Sequence, residues 1–336
     1  MSPRSPASVA ILAVTIVVLA LMPAPAAAQG AANAKTSAPA KNWTPPRTPD
    51  GQPDLQGVWN FATVTPLERP KEFANKPVLT EEEAAAYEKR EVTRMNVDLN
   101  KREGDPGTYN EFWWEHGSKI QADRRTSLVI DPPDGRIPSL TPEAQKRVAA
   151  ANTAAIRARR DRPDSIEDFT IRDRCILYRP IPATPTQNNN NFRIVQSRNS
   201  VAILQEEIHE TRIIPLDGRP HIGSSIRQWN GDSRGHWEGD TLVVETTNFT
   251  DQTDFHGANV NLRVVERLTR AAPDRIDVEF TVTDPTTWTR PWTAKVNYWK
   301  NEDGLFEYAC HEGDYAVKHI LLNARAADAA KKESAK

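Results

Sequence analysis

The chain has 336 residues, with 43 Lys and Arg against 45 Asp and Glu and a formal net charge of −2 at pH 7. This weak and mixed charge gives no electrostatic case for a nucleic-acid partner or for binding to anionic lipid. The sequence contains no P-loop, no Gly-x-Ser-x-Gly elbow and no Gly-x-Gly-x-x-Gly after a strand, so neither a nucleotide cofactor nor a serine nucleophile is predicted.

The N-terminus has the pattern of a signal peptide over residues 1–28. Arg4 precedes an apolar run, 9–22, that is too short to span a bilayer, and Ala26, Ala27 and Ala28 form an Ala-x-Ala cleavage signal. An uncleaved anchor is the alternative, which these small residues disfavour. We therefore expect an exported protein, periplasmic or secreted, with no membrane span after cleavage.

The remaining chain is predicted to be one β-rich domain, 51–323, between two unstructured ends. Residues 29–50 are rich in Ala, Pro, Thr and Lys without an apolar period, which is typical of a disordered leader. The Ala- and Lys-rich tail, 324–336, is expected to fray. No internal repeat of fixed period is present.

Two helices are predicted in the N-terminal half of this domain. Thr80 and Glu83 form a capping box at the start of a helix over 80–101. Pro142 stands at the first position of a second helix over 141–160. The segment 104–118 between them is aromatic and irregular.

From residue 170 onward the pattern changes to short β-branched and aromatic segments separated by turns. These segments are 193–196, 201–206, 210–216, 241–249, 261–270, 274–283, 292–300 and 306–310. Many of them alternate polar and apolar residues, which indicates an antiparallel sheet with one wet face. With strands near Trp59 and Leu128 the total is about ten, and so many strands are expected to close into a barrel. A two-sheet β-sandwich is the alternative.

Two resemblances rest on quoted phrases of the sequence. Gly57-Val58-Trp59 is similar to the first-strand Gly-x-Trp of lipocalin-like barrels, whose Trp closes one barrel end, and 237–244 resembles a hairpin of small secreted lipocalin-like families. Nearly the whole chain resembles a large family of uncharacterised exported bacterial proteins. The shared phrases are 50–59, 131–138, 231–249, 283–292 and 307–315. The family usually has Asn where this chain has Asp314, and the resemblance implies no catalytic residues.

The two cysteines of the chain, Cys175 and Cys310, are predicted to form a disulfide. In an oxidising compartment a single pair of cysteines most often bonds. The alternative is a reactive thiol at Cys310 beside His311.

The main candidate site is the stretch 218–240, which combines His, Arg, carboxylates and Trp. A plain connecting loop needs Gly, Asn and Asp for its turns, but not these residues together. We predict His236 and Asp232 as proton carriers and Arg234 as an anion clamp, with a ligand contacting three further residues: His221, Trp229 and Trp237. In the alternative, the aspartates make turns, Trp237 plugs the barrel and Arg234 pairs with Glu238.

Further candidates lie elsewhere in the chain. In an alternating strand Glu207 and His209 share one face, which suits a general base, although a solvated face is the alternative. His311 is a rigidly held candidate if the disulfide forms, or else a buried and satisfied histidine. Four tryptophans in Pro- or charge-rich segments are expected to line the pocket: Trp113, Trp114, Trp288 and Trp292. Arg290 is expected to stack between the last two, as part of the site or, alternatively, as a structural contact, and other tryptophans are expected in the core.

These patterns predict an exported, monomeric or weakly oligomeric, lipocalin-like barrel that binds a small, partly apolar ligand such as an aromatic, terpenoid or glycoside. If it is an enzyme, cofactor-free acid/base chemistry of the lyase, isomerase, hydratase or hydrolase type is expected. The alternatives are a non-catalytic carrier and a structural envelope protein. His209, His221, His236 and His311 lack the short spacing of metal ligands, so no metal is predicted.

Overall fold

The computed structural model of the protein describes residues 43–100, 110–151, 162–253 and 255–334. The predicted signal peptide, the first part of the predicted leader (29–42) and the predicted end of the second helix (152–160) lie outside the described residues.

The described chain is mainly β and forms a nearly closed antiparallel barrel of lipocalin-like form. Its strands are β1 Gly57–Asn60, β2 Val129–Asp131, β3 Asn191–Gln196, β4 Ser200–Gln205, β5 Thr211–Pro215, β6 Asp232–Glu238, β7 Thr241–Thr247, β8 Arg263–Ala272, β9 Arg275–Thr283 and β10 Trp292–Lys300. They follow one another around the barrel in the order β5-β4-β3-β1-β10-β9-β8-β7-β6, while β2 adds to β10. The predicted barrel is confirmed.

The seam between β5 and β6 is closed by side chains and by close packing. Arg212 of β5 reaches across the seam and donates to Ser233 of β6 at 2.8 Å, to Thr246 of β7 at 2.7 Å and to Glu266 of β8. Gly235 has no room for a larger residue, because a Cβ atom there would lie 2.7–2.8 Å from side chains on the β5 side. The two strands can therefore approach closely.

One end of the barrel is closed by Trp59, as the lipocalin-like resemblance implies. Its ring is fully buried and its Nε1 donates to the carbonyl oxygen of Leu55 at 2.9 Å. The Arg270 guanidinium lies over this ring, 5.5 Å from its centroid, and donates to the carbonyl oxygen of Asp54. Packing and cation–π attraction together fix this end.

The opposite end, where β1, β7 and β9 finish, is covered by the connecting segments. The largest buried side chains of these segments join the main core: Phe61, Ile181, Phe249, Phe255 and Trp288. The interior positions of the barrel are occupied by further core residues, among them Phe192, Val244 and Phe280. The barrel interior is therefore filled by side chains near its axis.

Three α-helices lie within the described residues. Helix α1 (Glu81–Met95) has the predicted capping box, in which Glu83 N donates to Thr80 Oγ1 and Thr80 N donates to Glu83 Oε2, but it ends before residue 101. Helix α2 is Pro142–Ala151 and helix α3 is Ala316–Ser334. None of the helices in the described ranges combines the length and apolar character that a membrane crossing requires.

The described parts of the predicted unstructured ends, one predicted strand and one predicted loop need correction. Residues 43–50 are ordered by a turn in which Arg47 and Pro53 form an isolated antiparallel β-bridge. Most of the predicted tail belongs to helix α3, whose Ala, Leu, Lys and Arg residues favour a helix. Segment 306–310 is not a strand. Strand β6 lies where the sequence predicts a loop. Its Gly, Asp and His do not form a strand-like sequence pattern, but pairing with β7 stabilises the strand.

The predicted disulfide between Cys175 and Cys310 is present and joins residues 135 positions apart. It connects the segment before β3 to the segment after β10. In the chain-entropy model, a disulfide that closes a loop of this length stabilises the folded state by roughly 4–5 kcal/mol.

Candidate functional site

The predicted site of residues 218–240 lies on the outer face of the barrel. Ser233 of β6 points inward to Arg212, and Gly235 also faces the interior. Because successive residues of a strand face opposite sides, Asp232, Arg234 and His236 lie outside. The structure therefore places this cluster on the barrel wall, not at its mouth.

Three of the predicted residues do come together around Asp232. The Nδ1 atom of His221 lies 2.8 Å from Asp232 Oδ2, the same oxygen accepts from the Ile222 backbone N–H at 3.1 Å, and Arg234 donates to Oδ1 at 2.7 Å. Arg234 also donates to the carbonyl oxygen of Pro220. We name His221, Asp232 and Arg234 the loop anchor, because these contacts hold the loop before β6 against the barrel wall.

Asn248 holds the same loop from its other side. Its side-chain amide donates to the carbonyl oxygens of Ile222, Gly223 and Ile226, each at 3.1 Å. The alternative pair of Arg234 with Glu238 is not formed, since Glu238 accepts from Arg267 at 2.8 Å.

The other predicted histidines are scattered and exposed. His209 ends the 3-10 turn Glu207–His209, where positive φ angles at Ile208 and His209 reverse the strand alternation. Glu207 is consequently turned inward while His209 faces solvent, so the predicted shared face is wrong. His236 and His311 are exposed too, which excludes the buried alternative for His311. No group of three or more potential metal ligands occurs among the described residues.

The predicted tryptophans divide between core and surface. Trp288 and Trp292 are buried against each other with ring centroids 5.8 Å apart. Arg290 is exposed and pairs with Asp131 at 2.9 Å, so the predicted stack between the two rings is not formed. Trp229 and Trp237 are half-buried, and Trp237 packs against the core. Trp113 is exposed and contacts Phe112 edge to face.

A cavity of about 370 Å³ lies between helix α1 and the segments that cover the barrel. Its lining residues come from six parts of the chain, and they are Thr63–Leu67, four residues of α1 (Tyr87, Glu91, Arg94 and Met95), His116, Leu128, Thr184–Gln187 and His256. Most of this wall is apolar or weakly polar, and its volume is in the range of small-molecule sites, ~300–1,000 Å³.

His116 is held in this wall by backbone contacts on both sides. Gly117 has a φ of +75° and packs so closely on the next segment that a Cβ atom would lie 2.7 Å from the backbone nitrogen of Thr63. The Glu115 N–H donates to the carbonyl oxygen of Gln187 at 2.8 Å. Glycine is therefore the only residue type that fits at 117, and the two contacts fix the backbone on both sides of His116.

The imidazole of His116 is buried and has no hydrogen-bond partner among the described residues. Its side chain is 8% exposed and it stacks on Trp114 with ring centroids 5.5 Å apart and planes 7° apart. Within the same part of the chain neither ring nitrogen is hydrogen-bonded, and the buried Trp114 Nε1 is also unpartnered. Glu111 Oε1 lies 4.0 Å from His116 Nε2, beyond hydrogen-bond distance.

Burial sets the protonation of the groups around the cavity. It lowers the pKa of His116, so the imidazole is neutral at pH 7, although Glu111 opposes this shift. Burial also raises the pKa of Tyr87 to about 12, which keeps that phenol protonated. Glu91 accepts from Arg94 at 2.8 Å, so the charges of the α1 wall are paired with each other.

The cavity wall connects to a buried ion pair at the barrel mouth. Arg179 donates to Thr186 Oγ1 in the wall and to Glu207 Oε2 at 2.9 Å. Burial raises the pKa of Glu207 to about 7, with Arg179 opposing the shift. Thr186 also donates to the Asn188 carbonyl oxygen, so its hydroxyl proton is used within the chain.

Trp114, which the sequence predicts as a pocket residue, is not among the residues that line this cavity, but it stacks on His116, which the sequence patterns did not indicate. The signal was the aromatic segment 104–118, which contains both residues, but the partners of this segment lie far away in the chain. A comparison of the chain with protein-family models, with curated proteins and with solved structures finds no match.

Proposed function

We propose that the protein binds one small, largely apolar molecule in the cavity beside α1, with the imidazole of His116 as its polar contact. The observation that carries this proposal is that a side chain 92% buried lines a cavity and has both ring nitrogens unpartnered. A buried polar group without a hydrogen bond costs roughly 1–3 kcal/mol, and a ligand that provides the bond removes that cost.

The proposal has a carrier form and an enzyme form. In the enzyme form the neutral imidazole accepts a proton from the bound molecule, as in cofactor-free lyases, isomerases or hydrolases. Replacing His116 would then stop conversion while the apolar part of the ligand still binds. In the carrier form the same replacement only weakens binding. A structural envelope role requires no ligand in the cavity.

We further propose that the protein works as a monomer outside the cytoplasm, as a member of the exported bacterial family that its sequence resembles. The disulfide between Cys175 and Cys310 supports an oxidising compartment.

A titration with the fluorescent apolar probe 1-aminoanthracene tests the binding proposal. We expect one probe per chain, and we expect Met95→Trp, which fills the cavity, to weaken its binding at least tenfold. The control Leu322→Trp adds the same indole to the exposed face of α3 and should leave binding unchanged. Equal binding by wild type and Met95→Trp would overturn the proposal.

Native mass spectrometry of the purified protein then identifies any retained compound. A single retained small organic molecule that Met95→Trp lacks supports the proposal. A retained molecule that Met95→Trp holds equally well contradicts the assignment to this cavity.

A further inference from the structure

We infer that the ligand of this cavity is a neutral ring compound with a hydroxyl group, an alcohol, phenol or enol, whose O–H donates to the imidazole of His116. The inference rests on the proposed function and adds the chemical class of the ligand.

The unpaired hydrogen-bonding atoms of the cavity wall determine which polar group the ligand must have. A neutral imidazole offers one N–H donor and one acceptor nitrogen. Both ring nitrogens of His116, which lines the cavity, are buried and unpartnered among the described residues. The matching group must both donate and accept, and a hydroxyl does both. An ether or a ketone only accepts, so it would leave the imidazole acceptor unpaired.

The charges around the cavity favour a neutral group over a carboxylate or phosphate. Glu111 and Arg94 are the charged side chains that act on the His116 imidazole, and burial outweighs Glu111 and keeps the ring neutral. The guanidinium of Arg94, the one arginine among the lining residues, already donates to Glu91. An anion would therefore be desolvated without a free cation, which is costly.

The apolar residues of the lining determine the body of the ligand. They come from separate segments and are Val64, Pro66, Leu67, Met95, Leu128 and Pro185. Such side chains remove apolar surface from water without offering a directional contact. A compact ring system with one hydroxyl at its edge matches both the apolar lining and the imidazole.

Three related probes test this inference: 1-naphthol, 1-methoxynaphthalene and naphthalene, titrated by calorimetry at pH 7 or by displacement of 1-aminoanthracene. The methoxy compound keeps the oxygen acceptor and lacks the donor. We expect wild type to bind 1-naphthol at least tenfold more tightly than either of the other two. We expect His116→Phe to lose this preference and to bind all three with similar affinity. The control His319→Phe replaces an exposed histidine of α3 and should keep the preference.

Trp114→Phe is a second control, because Trp114 stacks on His116 but is not among the residues that line the cavity. It keeps an aromatic ring against His116 and should keep the preference for 1-naphthol. If His116→Phe does not fold, the comparison of the three probes in wild type decides, and equal affinity for all three would overturn the inference.

The outcomes separate this inference from the proposed function. If wild type binds the three probes equally and Met95→Trp weakens them all, the cavity is a binding site but the hydroxyl inference is wrong. If the 1-naphthol preference persists in His116→Phe, the assignment to His116 is wrong. If none of the probes binds and 1-aminoanthracene does not bind either, both proposals fail.

Discussion

The loop anchor and the cavity wall each contain a histidine from an irregular segment, but the two histidines differ in what surrounds them. In the loop anchor, His221 Nδ1 and Arg234 both contact the same buried carboxylate of Asp232. In the cavity wall, neither nitrogen of His116 has a hydrogen-bond partner in the part of the chain that the structure describes. A polar group that the chain has paired contributes to the fold, whereas a buried group left unpaired is available to a ligand.

The largest expected effect is the loss of Asp232. Asp232→Ala leaves the Arg234 guanidinium, the Ile222 N–H and the His221 ring without their common acceptor in a mostly buried place. We expect the free energy of unfolding to fall by about 3 kcal/mol, measured by urea denaturation.

The matched control for this variant is Asp240→Asn, in the exposed pair of Asp240 with Arg47. Because both side chains of this pair are about half exposed, at 45% and 46%, their attraction is screened by water. The expected loss is below ~1 kcal/mol. An Asp232→Ala variant as stable as Asp240→Asn would show that the loop anchor does not stabilise the fold.

The next prediction compares the two histidines directly. His221→Phe removes a paired ring and should lower the free energy of unfolding by about 1–2 kcal/mol. His116→Phe removes two unpaired nitrogens from a buried place and should raise it by up to ~1 kcal/mol. Denaturation of both variants under the same conditions checks the sign, and the comparison fails if both variants change stability in the same direction.

A measurement of substrate conversion also compares the outer-face residues with the cavity. His236, Asp232 and Arg234 are predicted from the sequence as catalytic, and that role stays a prediction. Once a substrate is identified, His236→Gln should leave conversion within about twofold of wild type, because this side chain is 62% exposed and contacts Glu238 on the outer face. A tenfold or greater loss of conversion in His236→Gln would indicate that the catalytic site lies on the outer face of the barrel.

The features that the sequence predicted correctly depend on local patterns or on the small number of cysteines. The capping box at Thr80 and Glu83 needs only four residues, and the Cys175–Cys310 bond follows because there are only two cysteines. Alternation along β8, β9 and β10 is visible because one face of each strand is buried.

The place of His116 in the cavity wall could not be predicted because it depends on distant contacts. Gly117 packs on Thr63, and Glu115 bonds Gln187, so the position of the imidazole depends on pairings across more than fifty residues of chain. A sequence also does not show which histidines find partners. The composition of the loop before β6 predicts a site, and the structure adds that three of these residues also hold the loop against the barrel wall.

The smallest expected effect is a difference in pH dependence that isolates His116. The pKa of its imidazole is lower in the folded chain than in the unfolded chain, so its contribution to stability is present above the unfolded pKa, near 6.5, and is lost as pH falls through the folded pKa. Glu207 acts in the opposite sense. Its pKa is raised to about 7 in the folded chain, so its contribution is present below the unfolded value and is lost as pH rises through 7.

In wild type these two contributions oppose each other between about pH 5 and pH 6.5, whereas in His116→Phe only that of Glu207 remains. The unfolding free energy of the variant should therefore fall more steeply as pH rises over this interval, by at most about 1.4 kcal/mol per pH unit. Above pH 7 the difference between the two proteins should become constant. Urea denaturation at half-unit steps from pH 5 to pH 8 measures it, with His319→Phe as the control that keeps the wild-type slope. Parallel curves for wild type and His116→Phe would mean that the imidazole titrates normally in the fold, and the argument for a neutral, unpaired acceptor in the cavity would be lost.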